Sequence, residues 1–270
     1  MIACKFNLKF QLVAALIAML SINVPAFASC KNWKQLVPGE GNGLIYAGTV
    51  GDRHTRAFFV LDELTGKMSG EIGFNDDADS LVMKGRMSQD LEGAELTAET
   101  VNGEVIADLH LTYSRWRQPW ESANAFAHDS KQTCEFVVGK WVTRSSKKSY
   151  ELRLQSAGTM SRKFVAQEKI NEKTAVLLRS ALLRDDKKGA AALLEYPFHS
   201  EFGNQLSKVW QSPEDVISHY KEVIQIPNQE VRESVPHVLQ TGGAESIFVD
   251  GHIQLTDGIV TRICQEACTP

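Results

Sequence analysis

The sequence predicts an α+β protein: an N-terminal antiparallel β-meander or small barrel, followed by a smaller α+β region. Two observations carry this. From Leu44 to Leu154 apolar and polar residues alternate with the period of strands, and the breaks are short and rich in Gly and Asp. Past residue 158 the apolar residues recur at three- and four-residue spacing, until strand-like alternation returns at Glu245.

The first residues read as an address. Lys5 and Lys9 precede an apolar run from Leu12 to Leu20, and Ala26-Phe27-Ala28 has the small-x-small cleavage pattern, so residues 1–28 are expected to be a secretory signal peptide. Ser21, Asn23 and Pro25 interrupt the run short of the roughly 20 apolar residues that a membrane span needs. The mature chain is therefore expected in the periplasm or secreted, without a transmembrane segment. Lipidation at Cys30 is disfavoured, because Phe27 stands where a branched aliphatic residue is usual and Ser29 precedes the cysteine. The formal charge is -4, and losing Lys5 and Lys9 with no acid makes the mature chain -6. Nucleic acid is then a poor partner, since phosphate binding wants a basic face.

Four cysteines remain after cleavage: Cys30, Cys134, Cys264 and Cys268. An even count in an exported chain favours disulfides. The favoured pairing is Cys30 with Cys134 and Cys264 with Cys268; the first would close a loop of about 100 residues, worth roughly 4 to 5 kcal/mol in the chain-entropy account. A lone C-x-x-x-C is a poor zinc set. No metal and no cofactor are expected.

Strands are predicted at Leu44–Val50, Thr55–Leu61, Lys67–Phe74, Ser80–Met87, Ala94–Val101, Glu104–Leu111, Glu135–Thr143 and Tyr150–Leu154. Connections of two to five residues, such as Asn102-Gly103, demand antiparallel neighbours. Strong twist or barrel closure is the simplest way to hide the edges of such a meander. The acidic run Asp76, Asp77, Asp79 reads as a solvated hairpin tip, since it lacks the Gly and distant Glu of a calcium loop. Ser114 to Ser130 is long for a hairpin, and it interleaves Trp116, Trp120 and Phe126 with Arg115 and Arg117. That composition is enriched at protein–protein hot spots, and these five residues are the partner-binding candidates. The plainer alternative folds the aromatics back over the barrel mouth. Ser156 to Ser161 reads as polar chain leaving the sheet, which puts the boundary near residue 158 and the domains at 29–158 and 159–270.

In the second region, Ala175, Leu178 and Leu182, then Ala190, Leu193 and Leu194, give two helices with apolar faces. Asp185 or Asp186 is expected to cap the second helix, and Pro197 to end it. Ser212-Pro213-Glu214-Asp215 opens a third helix with a buried stripe at Val216, Ile217, Tyr220, Val223 and Ile224, ending at Pro227. Strands follow at Glu245–Val249, His252–Leu255 and Ile259–Cys264, joined by Asp250-Gly251 and Thr256-Asp257-Gly258.

Two resemblances can be stated on these residues. Tyr46-x-Gly48-Thr49-Val50-Gly51, Gly70-Glu71-Ile72-Gly73-Phe74, Leu81-x-Met83-x-Gly85, Leu96-x-Ala98-Glu99 and Gly139-Lys140-Trp141 resemble the β-meander domain of certain exported Gram-negative proteins, with Gly73 where an aromatic is usual. Tyr196-Pro197-Phe198, Val216 to Tyr220, Phe248 to Gly251 and Ile259 to Ile263 resemble the NTF2-like superfamily. That second resemblance implies a cone with a pocket between helices and curved sheet, for which Tyr196, His199, His219 and Tyr220 are the pocket candidates. His237, His252 and Asp250 are the further candidates for acid–base work, since histidine titrates near working pH. Nothing fixes their mutual geometry, and no Gly-x-Ser-x-Gly elbow occurs. No catalytic residue is assigned. The expected function is non-catalytic binding of another protein, as an inhibitor or immunity-type partner of an envelope-acting enzyme. The alternatives are a small-molecule or lipid binder using the cone, and an NTF2-like enzyme.

Overall fold

The computed structural model describes residues 42–62, 64–89, 93–114, 136–161, 165–201, 208–242, 245–249, 251–265 and 268. The meander closes. Strands β1 (Asn42–Val50), β2 (Arg53–Asp62), β3 (Lys67–Phe74), β4 (Leu81–Met87), β5 (Gly93–Glu99), β6 (Val105–Ser114), β7 (Phe136–Thr143) and β8 (Ser149–Ser161) pair antiparallel in chain order. β8 pairs back onto β1, from Asn42 opposite Ser161 to Val50 opposite Leu152, so no edge is left open. The reading of 156–161 as linker is thereby corrected: these residues extend β8 along β1.

Alternation decides what lies inside. Tyr46, Phe59, Met68, Ile72, Phe74, Met83, Leu109, Trp141 and Leu152 fill the interior, with Phe74 edge-on to Trp141 at 5.4 Å between ring centroids. Gly48, Gly70, Gly85 and Gly139 stand where a Cβ would lie 1.8–2.1 Å from a carbonyl oxygen of the next strand. Only a residue without Cβ lets neighbouring backbones approach that closely, which is how a short strand coils round a narrow barrel.

The second region is a mixed sheet under a helical layer. Its elements are α1 (Val165–Leu183), α2 (Lys187–Ala191), β9 (Leu194–Glu201), β10 (Lys208–Trp210), α3 (Pro213–Ser218), α4 (Tyr220–Val223), α5 (Asn228–Glu233), β11 (Gln240–Gly242), β12 (Glu245–Phe248), β13 (Ile253–Thr256) and β14 (Ile259–Cys264). The sheet order is β10-β9-β14-β13-β12-β11, with β9 and β14 parallel and the other neighbours antiparallel. Ala175 and Leu178 of α1 pack with Phe198, Trp210, Val216, Phe248, Ile253 and Leu255 into one core. Asn171, fully buried, pins α1 to the sheet: its Nδ2 donates to Ser246 Oγ at 2.7 Å, and Gly258 N donates to its Oδ1 at 2.8 Å.

The caps form as expected. Asp186 accepts from Gly189 N at 2.9 Å, and Ser212 accepts from Asp215 N at 3.3 Å while Asp215 accepts from Gln211 N at 3.1 Å. Two readings are corrected. Pro197 does not end a helix, because α2 stops at Ala191 and Tyr196-Pro197-Phe198 lie on β9. The β9–β14 register shifts between Leu194 and His199, and an irregularity of that kind tolerates a residue with no N–H to donate. The helix expected from Val216 to Ile224 is two short helices broken at His219.

Cys264 and Cys268 form a disulfide across a Cα–Cα distance of 5.4 Å. Cys30 and Cys134 lie outside the described residues, as do the signal-peptide residues. Among the described residues no helix is long and apolar enough to cross a membrane.

Candidate functional site

Of the four pocket candidates, two share a cleft. His219 and Tyr220, at the break between α3 and α4, line a cavity of about 190 Å³ with Lys187, Ile217, Ser218, Lys221 and Glu222. Tyr220 is buried, its hydroxyl has no hydrogen-bond partner among the described residues, and burial with Asp185 and Asp186 nearby pushes its pKa up to about 12. His219 Nδ1 sits 3.0 Å from the Asp215 carbonyl oxygen, and its ring lies 5.2 Å from that of Trp210. Tyr196 donates to the Ala191 carbonyl at 2.9 Å, and burial together with Glu214 and Asp215 pushes it up to about 12. His199 is exposed on β9, opposite Val209.

The two further candidate histidines, His252 and His237, are each held by a different element. His252 Nδ1 lies 3.0 Å from the Cys264 carbonyl oxygen and its Nε2 is 3.1 Å from Glu230. His237 Nε2 lies 3.1 Å from the Asp77 carbonyl oxygen of the barrel. Asp250 and the loop residues Arg115, Trp116, Arg117, Trp120 and Phe126 lie outside the described residues. The ends of that loop are described: Ser114 and Phe136 are opposite each other in the β6–β7 ladder. The acidic hairpin tip is held by Arg53, whose guanidinium reaches Asp76 through Nε at 2.8 Å and Asp77 at 2.7 Å. Among the described residues no three acids, histidines or cysteines are grouped to hold a metal.

One buried constellation was missed by sequence reasoning. The second region docks on the barrel wall through α1 and the segment 235–239. Gly73 is central, because a Cβ there would lie 2.2 Å from His237 Cβ. With no Cβ at Gly73, the His237 side chain can lie directly against the strand. Val238 follows, at φ 51°, and packs against the outward-facing Ile45, Phe58 and Val60. Beside them lie Glu168, Lys169 and Glu172 of α1. Lys169 Nζ pairs with Glu71 of β3, with Glu172 at 2.7 Å and with Ser80 Oγ at 3.1 Å. Glu172 also accepts from Val238 N at 2.5 Å and faces His237 Nδ1 at 3.9 Å.

Burial alone would raise Glu172, but the His237 ring, Lys169 and the Val238 N–H outweigh it and hold the carboxyl below its ordinary range. Burial would lower Lys169, but Glu172 and Glu71 keep it above the ordinary lysine value. For Glu168, Lys169 and Arg56 pull downward in the same way but do not outweigh burial. It is 2% exposed, its Oε1 has no hydrogen-bond partner among the described residues, and burial beside Glu172 pushes it up to about 8. The signal available in the sequence was Glu168 and Glu172 four apart on one helix, a spacing at which like charges repel.

The fold therefore offers a filled barrel, a rim at Ser114–Phe136, a shallow polar cleft at Tyr220 and a buried charged seam. No protein family, curated protein or solved structure matches the chain.

Proposed function

We propose that this is an exported, non-catalytic binding protein, an inhibitor or immunity-type partner of an envelope-acting enzyme, whose contact surface is the chain between β6 and β7. The observation that supports it is the Ser114–Phe136 pair. It brings both ends of residues 115–135 to one point on the rim of a barrel whose interior is occupied by its own side chains. A rigid scaffold carrying an Arg- and Trp-rich insertion is the arrangement that protein hot spots use. The NTF2-like reading of the second region is supported by the helix α1 laid over a sheet that antiparallel strands complete. The place of Tyr196-Pro197 on a strand departs from it.

The test is affinity capture from periplasmic and culture fractions with the mature protein and with the Trp116→Ala/Trp120→Ala double variant. Specific partners captured by the wild type and lost by the variant are expected. Identical capture by both, or none by either, overturns the reading.

A second reading rests on the cleft beside Tyr220, whose two lysines suit a small polar ligand. A ligand that raises the melting temperature of the wild type but not of Lys187→Ala/Lys221→Ala would favour it.

A further inference from the structure

We propose that the cleft at the α3–α4 break is a site for a small oxyanion that also carries a hydroxyl, with Lys187 and Lys221 holding the charge. The inference rests on the small-ligand reading of that cleft and adds the charge and chemical class of what it takes.

Three charged side chains line the cleft: Lys187, Lys221 and Glu222. Glu222 is already matched, since its Oε2 accepts from Lys208 Nζ at 2.7 Å, and Lys208 in turn stands 4.3 Å over the Trp210 ring. The two lysines are not matched. Lys187 Nζ lies 5.7 Å over the Tyr220 ring, and neither ammonium has a carboxylate within ion-pair reach among the described residues. Asp185 and Asp186 act on Tyr220 from outside the lining, and Asp186 is committed to the α2 cap. In a chain with 33 acids against 29 bases, two uncompensated cations opening on one concavity favour an anion there.

The neutral groups narrow the class. Ser218 Oγ donates to the Asp215 carbonyl at 2.9 Å, and His219 Nδ1 lies 3.0 Å from the same oxygen. A carbonyl only accepts, so Nδ1 carries the ring hydrogen, and Nε2 is left with a lone pair and no partner among the described residues. That lone pair suits a hydroxyl beside the anionic group. Lysine presents a point charge on a flexible stem and lacks the planar fork of arginine, so the pair accepts a tetrahedral phosphate or a flat carboxylate alike. At about 190 Å³ the cleft is smaller than the roughly 300 Å³ at which drug-sized pockets begin, which keeps the ligand to a few carbons.

Amide NMR titration of the full mature chain at constant ionic strength tests this with three probes of one skeleton: glycerol, glycerate and glycerol 3-phosphate. The reporters are Lys187 and residues 218–222, and strands β5 and β6 are the internal control. Saturable shifts at the reporters in the millimolar range are expected with one or both anions, and which of them binds identifies the head group. Lys187→Gln/Lys221→Gln keeps hydrogen-bonding ends and removes only the charge, so the anion is expected to bind about tenfold more weakly for each lysine lost. Lys140→Gln/Lys148→Gln removes the same charge from the exposed barrel surface and is expected to leave binding unchanged. Equal binding by wild type and the Lys187/Lys221 variant, equal weakening by both variants, or no saturable shift with either anion overturns the proposal. Glycerol shifting the reporters in wild type and variant alike would overturn the anion class while leaving the small-ligand reading in place.

Discussion

The barrel interior and the α1 seam are both buried, and they are built from opposite materials. Inside the barrel lie mostly apolar side chains with few polar atoms among them, such as the Tyr46 hydroxyl, whose pKa burial raises, and the buried Thr55 hydroxyl, which donates to the Gly73 carbonyl. The seam instead covers Glu168 and Glu172 completely and Glu71 and Lys169 in part. Apolar burial is non-directional and indifferent to pH, so the barrel sets how stable the molecule is. Buried charge is favourable only while it is matched, so the seam depends on its partners staying in place.

The sharpest way to break this contrast is inside the barrel. Phe74→Ala removes a fully buried ring from its contact with Trp141 and is expected to cost about 3–5 kcal/mol, read by denaturant unfolding. A loss no larger than that of a surface substitution would mean that the barrel is not the stabilising unit. Next comes Asn171→Ala, which leaves Ser246 Oγ and Gly258 N buried or half-buried without their partner. A loss of about 1–3 kcal/mol is expected in the second region, with the barrel's exchange protection unchanged. Gly73→Ala forces a Cβ onto His237, and overpacking of this kind costs about 1–3 kcal/mol. Its effect should appear as faster exchange at 235–239 while β5 and β6 stay protected; equal loosening of both would show that the seam and the barrel are one cooperative unit. Ser212→Ala removes a helix cap in the second region and is expected to cost about 1 kcal/mol in thermal unfolding. At the bottom, Arg144→Ala breaks an exposed pair with Asp108 and should leave the melting temperature within experimental scatter.

How much of this was legible in the sequence depended on how local the cause was. Lys67–Phe74 and Leu81–Met87 announced themselves because period two is a property of the strand alone. Gly48, Gly70, Gly85 and Gly139 could be singled out as motifs, although their reason, the crowding of neighbouring backbones, exists only once the barrel is closed. The Ser212 and Asp186 caps were readable because a cap acts within four residues. The β9 strand was not, because Leu193, Leu194 and Tyr196-Pro197 imitate the end of a helix, and what makes them a strand is β14, some 60 residues away in sequence. Gly73 was visible only as a missing aromatic; its partner, His237, comes 164 positions later. The cleft was half legible, with His219 and Tyr220 brought together and Tyr196 and His199 placed elsewhere. The seam was hidden altogether, since the Glu168–Glu172 spacing says that a conflict exists and not where it is resolved.

The Ser114–Phe136 pair also bears on the cost of the insertion it closes. Once a ladder is zipped at both ends, the entropy of closing the intervening chain grows only logarithmically, and doubling the insertion costs about 0.6 kcal/mol. A longer chain between those two residues therefore adds little to the cost of closing the ladder.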